Sequence, residues 1–382
     1  MTTSPAASLR DFLGNDRRGA TRVAAPGDAA PAEFHRSMPG YRPTPVVDCR
    51  HTAEQLGLAR LLTKLELDRF GLPSFKVLGA SWAVCRVLCR RAGLAQPVRT
   101  LAALRSVAAQ VAPVELVAAT DGNHGRAVAH MAGLLGLDAR ILVPRGMAAA
   151  RIEAITAEGA TVEVVDGTYD DAVAASGALA GPETEIVSDT SWPGYADVPR
   201  WVSDGYATIF TELEEQLDAE PDLAVVQIGV GALAAATAGA LPDPFLLGVE
   251  PADAACALAA ARARSPVEVR GPHRSVMVGL NCGVVSEIAL PALLGGVSAF
   301  CAIDDRAVET VIPWLAQDGI ACGETGAAGV AGLWAVRERR PEIWSQFGLP
   351  PRPVALALCT EGPTDPRSLR RILGDAPGTQ PA

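Results

Sequence analysis

Of the 33 basic residues in this 382-residue chain, all but Lys64 and Lys76 are arginine. Arginine serves wherever only positive charge is needed, but a guanidinium forms no stable imine with an aldehyde. A lysine kept in such a background therefore raises the question of imine chemistry. Lys76 follows a turn containing Gly71 and Pro73, lies between Phe75 and Val77, and opens an apolar run that reads as a helix. Desolvation among such neighbours lowers a lysine pKa, which suits an imine-forming amine. Its local sequence alone favours a plainer reading, a lysine snorkelling from a helix surface. Lys64 carries no comparable context and reads as chance survival.

Two further stretches could do chemistry. Ala119-Thr120-Asp121-Gly122-Asn123-His124-Gly125-Arg126 follows an apolar run and opens a helical one. Small polar residues and glycines at a strand-to-helix turn present free backbone N–H groups, which receive anions. A helix cap by Asp121 or Asn123 explains part of this pattern, but two glycines and four polar groups exceed what a cap needs. Gln227-Ile228-Gly229-Val230-Gly231-Ala232-Leu233-Ala234 is again strand, glycine turn and helix, a place where backbone can approach a phosphate. A dinucleotide fold wants a third glycine where Ala234 stands, although Glu250 supplies an acidic residue downstream, so this motif by itself also admits a nicotinamide enzyme.

The elements that must position these residues alternate strand and helix. Apolar runs at Leu116–Thr120, Ala139–Pro144, Thr161–Val165, Glu185–Ser188, Leu223–Ile228, Phe245–Val249, Ser298–Ile303 and Val354–Leu358 read as strands. Helical patterns lie between them, including one continuous stretch from Val198 to Leu217. Short apolar strands separated by helices indicate parallel sheets buried on both faces, an α/β class with two sheets. Residues 1–43 read as an irregular N-terminal arm and 375–382 as a disordered tail.

Composition narrows the function. A net charge of −10 argues against a nucleic-acid partner. No stretch reads as an export signal or membrane span, so a cytoplasmic location is expected. The eight cysteines show no CxxC pair and no zinc spacing, and no metal is expected. Cys85 and Cys89, one helical turn apart, read as buried thiols in a reducing compartment.

The Phe75-Lys76 element, the Thr120–His124 turn and the Gly229–Gly231 loop resemble, in order and spacing, the fold-type II pyridoxal-phosphate enzymes. That group includes threonine dehydratase, cysteine synthase and the tryptophan synthase β chain. The runs FGLPSFKVLG, ATDGNHGR, SDTSWPGY, VGLNCG, CGETGAAG and TEGPTDP are similar to those of the diaminopropionate ammonia-lyase family, and the resemblance covers residues from about 43 to 366.

The resemblance implies two open twisted αβα domains with pyridoxal 5′-phosphate in the cleft between them. It implies a large cofactor domain at 44–85 and 195–374, a smaller mobile domain at 86–194, and a homodimer. Lys76 falls at the Schiff-base position, Asn123 at the asparagine that bonds the cofactor's phenolic oxygen, and Gly229, Val230 and Gly231 at the phosphate loop. Thr360 falls near the pyridine nitrogen, with Cys359 as the competing candidate. A neutral partner there leaves the nitrogen unprotonated and favours elimination over transamination. Thr120, Asp121, His124 and Asp189 are the expected substrate-binding residues. Asp121 puts a carboxylate where dehydratases of this fold carry a small uncharged residue, and Asp189 adds a second. Such carboxylates suit a substrate with an extra ammonium group, although Asp189 also reads as a turn cap before Trp192. In the family the two stereoisomers lose their α-protons from opposite faces, one to the lysine and the other to the aspartate matching Asp121.

The implied reaction is α,β-elimination of 2,3-diaminopropionate to pyruvate and two ammonia, with Lys76, Asp121 and Asp189 catalytic. A β-replacement synthase, a serine or threonine dehydratase and a catalytically dead binding relative are the alternatives. Pro363 and Val278 depart from the family's pattern and bear on the substrate rather than the cofactor.

Overall fold

The computed structural model describes residues 9–16, 18–19, 29–120 and 122–374. Asp121 and the expected tail at 375–382 lie outside the described residues. The strands are β1 (Leu9–Gly14), β2 (Val46–Asp48), β3 (Arg60–Leu65), β4 (Glu115–Ala119), β5 (Asp138–Pro144), β6 (Thr161–Val165), β7 (Thr184–Ile186), β8 (Leu223–Gln227), β9 (Phe245–Pro251), β10 (Ala299–Ile303) and β11 (Val354–Cys359). They form a seven-stranded sheet in the order β1-β10-β9-β8-β11-β3-β2 and a four-stranded sheet in the order β6-β5-β4-β7. The smaller sheet is wholly parallel; the larger is parallel except for its edge strands β1 and β2.

The uninterrupted apolar runs follow from burial on both faces. Along β8, Leu223 and Val225 enter one core while Ala224 and Val226 enter another across the sheet. In β10, Ala299, Cys301 and Ile303 alternate with Phe300 and Ala302 in the same way. Successive strand side chains point to opposite faces, so a sheet covered on both sides needs apolar residues at every position. Each fully buried Leu, Ile, Val or Phe contributes about 1.5–3 kcal/mol. A smaller core of Val117, Ala119, Leu142, Ala172 and Ile186 lies against the four-stranded sheet.

Three sequence expectations change. The expected 1–43 arm is not irregular throughout: Leu9–Gly14 pairs antiparallel with β10, and the helix Ala30–Arg36 buries Phe34 and His35 completely. The stretch Val198–Leu217 is two helices, Asp197–Gly205 and Ala207–Gln216, joined at Tyr206. Gly205 packs there against the backbone of the helix Lys76–Arg91, where a Cβ would fall 2.4 Å from Leu78 O. Among the cysteines, Cys85 and Cys89 are buried free thiols, whereas Cys322 and Cys359 form a disulfide, for which a separation of 37 residues left no local signal. Among the described residues, no helix is long and apolar enough to cross a membrane.

Candidate active site

Each candidate element leaves the carboxyl end of a strand. Thr120 follows β4, Asp189 lies beyond β7, Gly229 follows β8 and Thr360 follows β11. Open parallel sheets receive ligands at such ends because the helix starts and loops converge there. Here the two sheets present them to one cleft, whose walls include Lys76, Asn123, Tyr169, Asp189, Gln227, Gly229, Val230, Gly231, Thr360 and Glu361.

Lys76 is the first residue of the helix Lys76–Arg91. Its approach loop is stitched to the segment after β11: Phe75 N–H donates to Thr360 O, and Gly362 N–H to Pro73 O. From the other side, Gly79 admits Tyr206 and Val202 so closely that a Cβ would meet them at 2.6 and 2.7 Å. Held between these contacts, Lys76 Nζ lies 2.7 Å from Asp189 Oδ2.

Asp189 is 4% exposed. Burial pushes its carboxyl up, but the Lys76 and His124 charges and hydrogen bonds from Lys76 and Tyr169 outweigh that and hold it well below the usual carboxylate range. Tyr169 Oη donates to Asp189 Oδ1 at 3.2 Å. The His124 ring sets Nδ1 4.0 Å from Asp189 Oδ2 while Nε2 bonds Val187 O at 2.8 Å. A carbonyl can only accept, so Nε2 carries a proton.

The turn after β4 is built by its small residues. Thr120 Oγ1 accepts from Gly122 N–H at 2.9 Å, and Gly122 takes φ +151°. Gly125 is required by space, since a Cβ would sit 2.4 Å from Thr120 Cγ2. Asn123 opens the helix Asn123–Leu135 and donates through Nδ2 to Glu361 Oε2 from the opposite sheet. Thr120 and His124 are buried behind this turn rather than on the cleft wall.

The glycine loop opens the helix Ala232–Ala240. Gly231 has φ +100°, and a Cβ there would lie 3.1 Å from both Ala289 and Leu293. At Gly229 a Cβ would lie 3.1 Å from Gly279 O. Side chains are thus excluded on the packed side, and the helix-start N–H groups remain available to an anion. Thr360 rather than Cys359 lines the cleft, since Cys359 is engaged with Cys322. Glu250, the acid that a dinucleotide site would need, is fully buried and accepts from Ala257 and Leu258 N–H at 2.7 Å each. It caps a helix, which removes the nicotinamide reading.

Tyr169, Gln227 and Glu361 are the cleft residues that sequence reasoning missed. Glu361 and Gln227 stood inside quoted motifs but looked like flanking residues; Tyr169 follows an ordinary capping box at Thr168 and carried no signal.

The cleft defines an α/β enzyme whose lysine can condense with a carbonyl group while a neighbouring helix start receives an anion. The donor set fits pyridoxal phosphate: an amine for the aldehyde, an amide and a hydroxyl for the ring's polar atoms, and N–H groups for the phosphate. The chain belongs to the pyridoxal-phosphate dependent enzyme family, whose model matches residues 38–352. It is 33% identical over 358 residues to diaminopropionate ammonia-lyase from Escherichia coli, covering 89% of each chain. A crystal structure of holo diaminopropionate ammonia-lyase from Escherichia coli superposes with a TM-score of 0.87 at 30% identity, over 97% of this chain and 98% of that one. A biosynthetic L-threonine dehydratase from Mycobacterium leprae is 36% identical over 228 residues, but covers only 57% of this chain and 52% of its own.

Proposed function

We propose that this enzyme eliminates ammonia from 2,3-diaminopropionate, with pyruvate and a second ammonia as final products after addition of water. The observation that carries the reading is the buried carboxylate of Asp189, facing the cleft 2.7 Å from the Lys76 ammonium. An ionised carboxylate in such a place needs a cation, and removing its partner leaves a buried charge uncompensated. When Lys76 gives up its charge to become a nucleophile, a substrate bearing a second ammonium restores the balance. The hydroxyl of serine or threonine does not.

When bound, pyridoxal phosphate supplies an aldehyde that condenses with an amine and a ring that takes up the electron pair left by α-proton removal. Lys76 supplies the amine and accepts the α-proton of one stereoisomer at Nζ. Asp121 is the proposed base for the other. Asp189 orients the amino groups, steadied by Tyr169. Asn123 would hold the phenolic oxygen, Thr360 the ring nitrogen, and Gly229–Gly231 the phosphate. Thr120 and His124 act from behind the turn, by setting its shape and by supporting Asp189.

The same reading assigns a fixed unit to 44–85 and 195–374 and a moving unit to 86–194; the two sheets support a division into two units, whose first boundary falls within the helix Lys76–Arg91. A homodimer is the proposed assembly, checked by light scattering.

The test is a stopped assay of the cofactor-loaded protein with L- and D-diaminopropionate, serine and threonine. Two ammonia per pyruvate from diaminopropionate is the expected result. Pyruvate from serine or 2-oxobutyrate from threonine, with no reaction of diaminopropionate, points to a dehydratase, and a new amino acid formed with an added nucleophile points to β-replacement. Cofactor uptake with no reaction of any of the four sinks the lyase reading.

A further inference from the structure

Gln227 ends β8 just before the glycine loop and is 4% exposed. Its Nε2 lies 2.5 Å from Thr360 Oγ1, 3.1 Å from Leu358 O, 3.2 Å from Thr325 O and 3.4 Å from Gly326 O. Three of these neighbours are carbonyl oxygens, which only accept. A flipped amide would set oxygen against oxygen, so the nitrogen must occupy this position. Its Oε1 is buried with no hydrogen-bond partner and faces Gly329, where a Cβ would lie 3.2 Å away. The residue is placed for its donors, at the expense of its acceptor.

An NH2 group has no lone pair to offer, so the Thr360 hydroxyl can only accept from Gln227. Its single proton must then go elsewhere. Among the described residues the Thr360 side chain makes no other hydrogen bond, and it lines the cleft. We infer that Gln227 is a positioning residue: by donating to the Thr360 hydroxyl it leaves that hydroxyl only its proton to offer toward the cleft, the orientation that the neutral ring-nitrogen partner implied by the family resemblance would need. This rests on the reading that places the ring nitrogen at Thr360. Thr325 and Gly326 on one side and Leu358 and Thr360 on the other belong to the two segments that the Cys322–Cys359 disulfide joins, so the amide sits in a fixed frame.

The test uses the holoenzyme reconstituted with pyridoxal phosphate carrying 15N in the ring. The wild-type ring nitrogen should show the 15N shift of an unprotonated, hydrogen-bonded pyridine. Gln227→Met keeps length but removes both donors. It should weaken cofactor binding about tenfold and move the shift toward that of a free pyridine nitrogen. Thr360→Val should do the same, and the double variant should be no worse than either single one, because both remove one unit. Thr360→Ser should restore the wild-type shift. Additive losses in the double variant, or a pyridinium shift in the wild type, overturn the inference. The wild-type spectrum decides the protonation state even where Gln227→Met fails to fold. Failure of the wild type to take up pyridoxal phosphate would sink the functional reading itself; uptake with a protonated ring sinks only the role of Gln227.

Discussion

Lys64 and Lys76 each place Nζ 2.7 Å from a buried carboxylate, Glu212 in one case and Asp189 in the other. Around Lys64 the surroundings are closed. The ammonium also donates to Thr44 O at 2.7 Å and Gln216 Oε1 at 2.8 Å, so all three N–H bonds have acceptors, and its side chain is 0% exposed. Burial pulls its pKa down, and attraction to Glu212 only partly offsets this. Glu212 is clamped in turn by both terminal nitrogens of Arg69, which also pairs with Glu66. Lys76 keeps 21% of its side chain exposed and stands on the cleft wall. A lowered pKa and an ion pair therefore do not make a nucleophile. The nitrogen must also be reachable, and it must have a partner that can be traded for a substrate group. The Lys64 cluster ties the segment at Thr44 to the helix Ala207–Gln216; in the proposed reaction the Lys76 pair is the one exchanged for a substrate ammonium.

Substitution separates the two regions most sharply at Lys76. Lys76→Ala is expected to fold, and to lower pyruvate formation on the order of 10³-fold or more in steady-state assays. Borohydride reduction and peptide mass mapping should find the cofactor attached at residue 76 of the unsubstituted chain; attachment at Lys64 would break the comparison. Lys64→Met should instead lower unfolding stability by about 3–5 kcal/mol in denaturant melts, because breaking a buried pair leaves charge uncompensated. Cofactor attachment per folded molecule should stay unchanged.

Asp189→Asn comes next. We expect kcat/KM for diaminopropionate to fall about 10²-fold, with a smaller loss for any residual serine reaction. Equal losses for both substrates would separate Asp189 from recognition of the second ammonium. Because its folded pKa is depressed, the stabilisation from Asp189 is present above the unfolded carboxylate pKa. It is lost only as pH falls through the lower folded value.

The smallest effect belongs to the buried side. His35 bonds Thr208, Ser81 and Leu78 O, and burial together with the Arg69 charge drops its pKa from 6.5 to about 3. The unfolded chain takes up that proton first, so stability declines as pH falls from 6.5 toward 3. The decline should reach about 1.4 kcal/mol by roughly pH 5.5. His35→Gln should flatten this part of the stability profile in thermal melts; an unchanged slope would place the acid sensitivity elsewhere.

Much of the chemistry was legible in the residues. The scarcity of lysine, the turn at Thr120–His124 and the glycine pair at Gly229 and Gly231 record local demands that sequence carries openly: an amine no arginine replaces, backbone N–H groups left free, and space for close approach. The strand runs were equally plain, because burial on both faces forces apolar residues at every position. Other features had no local record. That Asp189, 113 residues from Lys76, meets its amine is decided by which loops two sheets bring to one cleft. The choice of Thr360 over Cys359 turns on a one-residue alternation at the end of β11 and on a distant cysteine. Glu250 stands in sequence as the downstream acidic residue of a dinucleotide pattern and caps a helix in space. Side-chain type and spacing set what each residue is able to do, while the crossover connections of the parallel sheets, which join strands far apart in sequence, decide what each one meets.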